Sequence, residues 1–205
     1  MKLEICTNSY QSAMNAEKAG ADRIELCSEL SVGGITPSYG LLKKISEEIT
    51  IPINVLIRPR SGNFQYSEEE FSLMKENIKL CKELGFNGIV SGVLNIDNSI
   101  DIERTKKLIE LSKPLSFTFH RAFDCVSNPK KSLEILIELK VDRILTSGNQ
   151  EKAAQGIELL KELKQLAKDR IIILPGSGIN KKNAVLFKEA GFKEIHTSAS
   201  KNSLE

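Results

Sequence analysis

The 205-residue chain sets 29 Lys and Arg against 27 Asp and Glu, and 40% of its residues are hydrophobic. A net charge of +2 spread evenly along an ordinary globular composition excludes disorder and a fibrous repeat, and gives no basis for a nucleic-acid or membrane surface. The length suits one domain, taken as residues 1–205, and without an export signal or a bilayer-length apolar run a cytoplasmic location is expected.

Residues 3–6 alternate as a strand, residues 9–18 carry helical spacing, and residues 23–27 alternate again. The same alternation predicts further strands over 53–58, 88–93, 115–120, 143–147, 170–174 and 194–198. Between them, helices are predicted over 39–48, 68–84, 102–112, 129–139, 151–166 and 181–190. Ser67 with Glu70 forms a capping box, Asn128 caps ahead of Pro129, and Gly20, Gly85 and Gly191 follow the last periodic residues. Eight strands alternating with helices predict an α/β fold with a parallel sheet closed into a (β/α)8 TIM barrel. Only seven residues follow Ser198, so the barrel is expected to lack its final helix, with a neighbouring subunit of a homo-oligomer as possible cover.

Strand side chains alternate faces, and the face bearing Ile24 and Leu26 must meet the helices. Glu25 and Cys27 therefore point to the barrel axis, as do Glu4 and Cys6, Thr118 and His120, and Glu194, His196 and Ser198. Arg58 follows Asn54 and Leu56 on the same parity. A charged lining is unusual where Val, Ile and Leu normally fill the barrel. It is read as a pocket at the strand ends, against the alternative of internal ion pairs that merely satisfy one another.

Loops beyond these strands add candidates. Arg58 and Arg60 offer planar forks for an anion, and Gly176-Ser177-Gly178 offers backbone N–H groups ahead of a helix, where Ser198 could join them. His120, Arg121 and Asp124 place an imidazole, a guanidinium and a carboxylate at one strand end, the groups that proton transfer requires. The catalytic candidates are Glu4, Glu25, Arg58, His120 and Asp124. Cys6 and Cys27 would lie on adjacent strands about 5 Å apart. They suit a soft ion such as Cu(I) if register lets them meet, and serve as small core hydrophobes otherwise. Cys81 and Cys125 receive no role, and all four cysteines are expected to be reduced thiols.

Taken together, the blocks Gly20-Ala21-Asp22-Arg23-Ile24-Glu25-Leu26-Cys27-Ser28, Gly33-Gly34-Ile35-Thr36-Pro37-Ser38, Ile57-Arg58-Pro59-Arg60, Thr118-Phe119-His120-Arg121-Ala122-Phe123-Asp124, Leu145-Thr146-Ser147-Gly148 and Pro175-Gly176-Ser177-Gly178 resemble the CutC family over residues 3 to about 199. The resemblance implies a cytoplasmic, often oligomeric (β/α)8 barrel linked to copper handling, with Cu(I) on the cysteines that match Cys6 and Cys27. Ser177 departs from a block that often reads Gly-Gly-Gly or Gly-Ala-Gly. The charged lining points as well to a metal-independent enzyme acting on a small anionic or phosphorylated metabolite. The expected partner is therefore a copper ion or such a metabolite, rather than nucleic acid or membrane.

Overall fold

The fold is that of a computed structural model in which residues 1–198 are described. Eight strands, β1 (Lys2–Thr7), β2 (Arg23–Leu26), β3 (Ile53–Leu56), β4 (Gly88–Ser91), β5 (Ser116–Phe119), β6 (Arg143–Thr146), β7 (Ile172–Pro175) and β8 (Glu194–Thr197), form one sheet. All paired strands are parallel, in the order β7-β6-β5-β4-β3-β2-β1-β8, and β7 packs beside β8 to bring the circuit round on itself. The helices between them are α1 (Tyr10–Lys18), α2 (Tyr39–Glu48), α3 (Glu68–Glu83), α4 (Ile102–Ser112), α5 (Pro129–Glu138), α6 (Ile157–Ala167) and α7 (Ala184–Glu189). This is the (β/α)8 TIM barrel. The expectation about a missing last helix concerns residues 199–205, which lie outside the described residues.

Most of the core lies between sheet and helices. Ile24, Leu26, Ile89, Phe117, Phe119 and Ile144 project outward from the strands onto Leu42 and Ile45 of α2, Phe71, Met74 and Ile78 of α3, and their counterparts around the ring. The helical residues recur at spacings of three and four because one stripe of each helix must be apolar. Both predicted caps form. The Ser67 hydroxyl accepts from the Glu70 N–H at 3.2 Å while Glu70 accepts from the Ser67 N–H at 2.9 Å, and Asn128 accepts from the Lys131 N–H at 3.1 Å. Inside the barrel a second, small apolar layer joins Cys6, Cys27, Leu56 and Val90.

Three departures from the sequence pattern matter for the site. α6 starts at Ile157, six residues later than the periodicity from 151 suggests, because the preceding segment crosses the loop after β6 and donates Ala153 N–H to the Ser177 carbonyl at 3.0 Å. α7 starts at Ala184, because Asn180 and Asn183 spend their side chains on nearby N–H groups and so compete with helix formation. The strand ends are also shorter than expected: Cys27, Arg58 and His120 fall just beyond β2, β3 and β5, and short 3-10 turns follow at Leu30–Val32 and Arg121–Cys125.

Candidate functional site

The inward-facing side chains stack in tiers along the barrel axis. The lowest tier is ionic. Glu4, 1% exposed, accepts from Arg23 Nε and, at 3.4 Å, from Asn54 Nδ2, while its other oxygen lies 2.8 Å from His196 Nδ1. Arg23 Nη2 reaches Glu194 at 2.6 Å, and Arg143 Nε reaches the same Glu194 oxygen at 3.1 Å. Burial alone would raise the Glu4 pKa, but His196 and Arg23 together hold it down at about 2. Glu4 is thus a fixed charge in an internal network, and both its oxygens are committed. Arg23 and Arg143, which bind that network together, are not among the residues that the sequence singles out. Parity could have found them, since Arg23 precedes Glu25 and Arg143 precedes Leu145 by two residues.

Above it lies the thiol tier. β1 and β2 pair with Cys6 opposite Glu25, and this register lets Cys6 meet Cys27, with the two sulfurs 3.4 Å apart. That is a thiol contact, far longer than the roughly 2.05 Å of a disulfide, and both cysteines are free. Cys6 also hydrogen-bonds a Glu25 oxygen at 3.5 Å. The hydrogen bond to Cys27, burial and the Glu25 carboxylate all push the Cys6 pKa well above the ordinary thiol value. Burial likewise raises Glu25, helped by Glu4 and opposed by His196 and Arg23, and the other Glu25 oxygen is buried with no partner. His196 shifts the opposite way from a simple buried imidazole: desolvation lowers it, but Glu25 and Glu4 outweigh that and raise it. One ligand atom each from Cys6, Glu25 and His196 lie within 4.8 Å of one another, close enough to enclose a single ion.

The top tier opens into a cavity of about 550 Å³ lined by Cys6, Glu25, Arg58, Phe64, His120 and Asp124 among others. Arg58 is held rigidly: Nη1 donates to the Val32 and Gly34 carbonyls, each at 2.9 Å, and Nη2 donates to the Gly62 carbonyl at 2.8 Å. His120 Nδ1 accepts from the Ala122 N–H at 3.2 Å, which fixes the ring, while its buried Nε2 has no partner. Burial first, and then the Arg58 charge, depress the His120 pKa to about 3, so the ring stays neutral. Asp124 is heavily committed. It pairs with Arg121 at 2.8 Å and accepts from Ser147 N–H and from the Thr146 and Ser147 hydroxyls.

The anion candidates separate. Ser177, Gly178 and Ser198 line the cavity, whereas Arg60 does not: its guanidinium pairs with Glu70 at 2.6 Å and donates to the Ser61, Asn63 and Gln65 carbonyls. Gly176 is there for packing, since a Cβ would come within 2.5 Å of Leu145 and 3.3 Å of His196. The Gly176–Gly178 loop does not open a helix as the pattern suggested, because α7 begins only at Ala184, and the Ser177 hydroxyl is spent on the Glu151 carbonyl at 2.7 Å. Phe64 and Cys125 also line the cavity, the latter from the turn after β5, and nothing in the sequence pattern singles out either.

A family model described as the CutC family matches residues 1–201. The chain belongs to the CutC family. A CutC family protein from Klebsiella pneumoniae strain 342 is 49% identical over 197 residues, covering 96% of this chain and 79% of its own length. The Salmonella newport protein is 47% identical with the same coverage. Among solved structures, Streptococcus agalactiae CutC, provisionally described as a copper homeostasis protein, superposes with a TM-score of 0.91 at 36% identity, over 97% of this chain and 98% of that one. Among the described residues of this CutC chain, no helix is long and apolar enough to cross a membrane.

Proposed function

We propose that this protein acts in copper homeostasis as a cytoplasmic, single-domain, homo-oligomeric barrel that binds Cu(I) between Cys6 and Cys27. The approach of the two sulfurs to 3.4 Å, on neighbouring strand ends, carries the assignment. Thiolates are the preferred ligands of a soft monovalent ion, and a reduced pair already in contact needs little rearrangement to share one. Glu25 and His196 stand where a further ligand or a hydrogen-bonding partner of the bound sulfurs would lie. The provisional description of the Streptococcus agalactiae relative supports the same assignment.

Cu(I) must displace the thiol protons, and Cys6 holds its proton tightly. Apparent affinity is therefore expected to rise with pH across the neutral range, by about tenfold per pH unit for each proton displaced. Competition against a chromophoric Cu(I) chelator under reducing conditions measures both stoichiometry and slope. The expected result is one ion per chain, lost in the Cys6→Ser, Cys27→Ser double variant. Unchanged affinity in that variant, or a pH-independent affinity in the wild type, would exclude the thiol pair as the site.

A further inference from the structure

Among the described residues, the cations around the cavity pair with carboxylates, with one exception. Arg23 and Arg143 are matched by Glu4 and Glu194, His196 lies on Glu4, and Arg121 lies on Asp124. Arg58 is only 5% exposed, yet among the described residues no carboxylate stands within ion-pair distance of it. Its three short hydrogen bonds all go to neutral carbonyls, its other side-chain neighbour is the neutral Tyr66 phenol, and its guanidinium carbon lies over the Phe64 ring at 4.9 Å. A buried guanidinium held by dipoles but lacking a counter-charge is costly unless an anion completes it. The carbonyls and the Phe64 ring fix the orientation of the fork, so the charge is preorganised rather than mobile.

We propose that the strand-end cavity is a binding site for a small organic carboxylate, with the carboxylate on Arg58 and the remainder of the molecule against Phe64, Leu56, Leu145 and the free Nε2 of His120. This site goes beyond the Cu(I) assignment and does not depend on it. His120 Nε2 is a buried polar atom without a partner and belongs to a residue lining the same cavity, so it is a second group that a ligand satisfies. At about 550 Å³ the cavity falls within the range of metabolite sites. Carboxylate is favoured over phosphate because the glycine loop has neither an uncommitted hydroxyl nor a helix N-terminus behind it: Ser177 Oγ is committed to the Glu151 carbonyl, and the six-residue α7 starts well beyond it. A planar carboxylate also matches one edge of a guanidinium fork.

The test uses the full chain and three sets of probes: small mono- and dicarboxylates, their methyl esters, and inorganic phosphate with glycerol phosphate. At about a hundred times its Kd, a bound carboxylate is expected to raise Tm by roughly 5–10 °C. The matching ester should give no shift, and Arg58→Gln should weaken affinity roughly 10- to 100-fold. The Cys27→Ser variant, which removes one of the two proposed Cu(I) ligands and leaves the lining of the cavity unchanged, should retain carboxylate binding. Should Arg58→Gln fail to fold, Arg58→Lys is titrated instead, and the ring ¹⁵N resonances of His120 are followed in the wild type, where they must move on adding the carboxylate. The proposal is overturned if no carboxylate binds, if only phosphate compounds bind, if the Arg58 variant binds as tightly as the wild type, or if the His120 resonances stay still at saturation.

Discussion

Glu4→Ala is expected to cost about 3–5 kcal/mol of folding stability, because removing one member of a buried ion network strands the others. Glu4 receives Arg23, His196 and Asn54 together, and it is 1% exposed. After its loss Arg23 keeps only Glu194, which it already shares with Arg143, so two guanidinium groups are left to one carboxylate. For a chain of this size the Tm should fall by roughly 6–20 °C. Thermal and urea unfolding of the variant measure this, with Lys43→Ala as a control: its partner Glu47 is exposed, and the pair should contribute within about 0.5 kcal/mol. A Glu4→Ala loss no larger than the control's would mean that the network is not what holds the lower barrel together.

The same carboxylate makes stability depend on acid. In the fold its pKa lies near 2, below the ordinary 4.5, so its stabilisation is complete above about 4.5 and is lost as pH falls through about 2. A separation of that size corresponds to about 3 kcal/mol, the same order as the truncation cost. His196 has the opposite sign: its raised pKa contributes stability that is full below the ordinary imidazole value of 6.5 and fades as pH rises through the folded value. The acid limb below about 4.5 therefore belongs to the carboxylates. Glu4→Gln should flatten that limb relative to the wild type, and equally steep limbs in chemical denaturation from pH 5 to pH 2 would contradict the assignment.

Alternation along strands makes much of this site legible in the sequence. Cys6, Glu25, Cys27 and Glu194 can be placed inward because the opposite face, with Ile24 and Leu26, has to meet helices. The same rule extends to Arg23 and the ionic floor, although a residue at the very start of a strand gives the weakest alternation signal. Partner identity is not legible. Glu4 meets His196 because β1 pairs with β8 in the register Glu4↔His196, and no local pattern encodes a contact between residues 192 positions apart. Arg60 misleads for a related reason. It shares parity with Arg58, but β3 ends at Leu56, and in the loop beyond it alternation no longer decides direction, so Arg60 turns to Glu70 on α3. The late start of α6 is hidden as well, since helical periodicity from 151 onward says nothing of a backbone crossing that occupies the first turn.

That crossing is where the second large effect is expected. Gly156 has φ −89, which any residue adopts, so its need for glycine is purely spatial. A Cβ there would lie 2.0 Å from the Ser147 carbonyl oxygen and 2.9 Å from Gly148 Cα. Both obstacles are backbone, and the loop that carries them cannot move cheaply: Asp124 accepts from the Ser147 N–H at 3.0 Å and the Asn149 N–H at 3.2 Å. Gly156→Ala should therefore cost about 3 kcal/mol, at the upper end of overpacking effects. Gly85→Ala makes the contrast. Gly85 has φ +75 with nothing within 4 Å of an added methyl, so only left-handed strain of about 1–2 kcal/mol applies. Because Asp124 anchors the loop from the cavity side, relief of the Gly156 clash should also disturb the Arg121–Asp124 pair and weaken carboxylate binding, whereas Gly85→Ala should leave binding intact. Calorimetric unfolding with ligand titration of both variants separates the two effects; a Gly156→Ala protein as stable as Gly85→Ala, with wild-type affinity, would show that the crossing has slack.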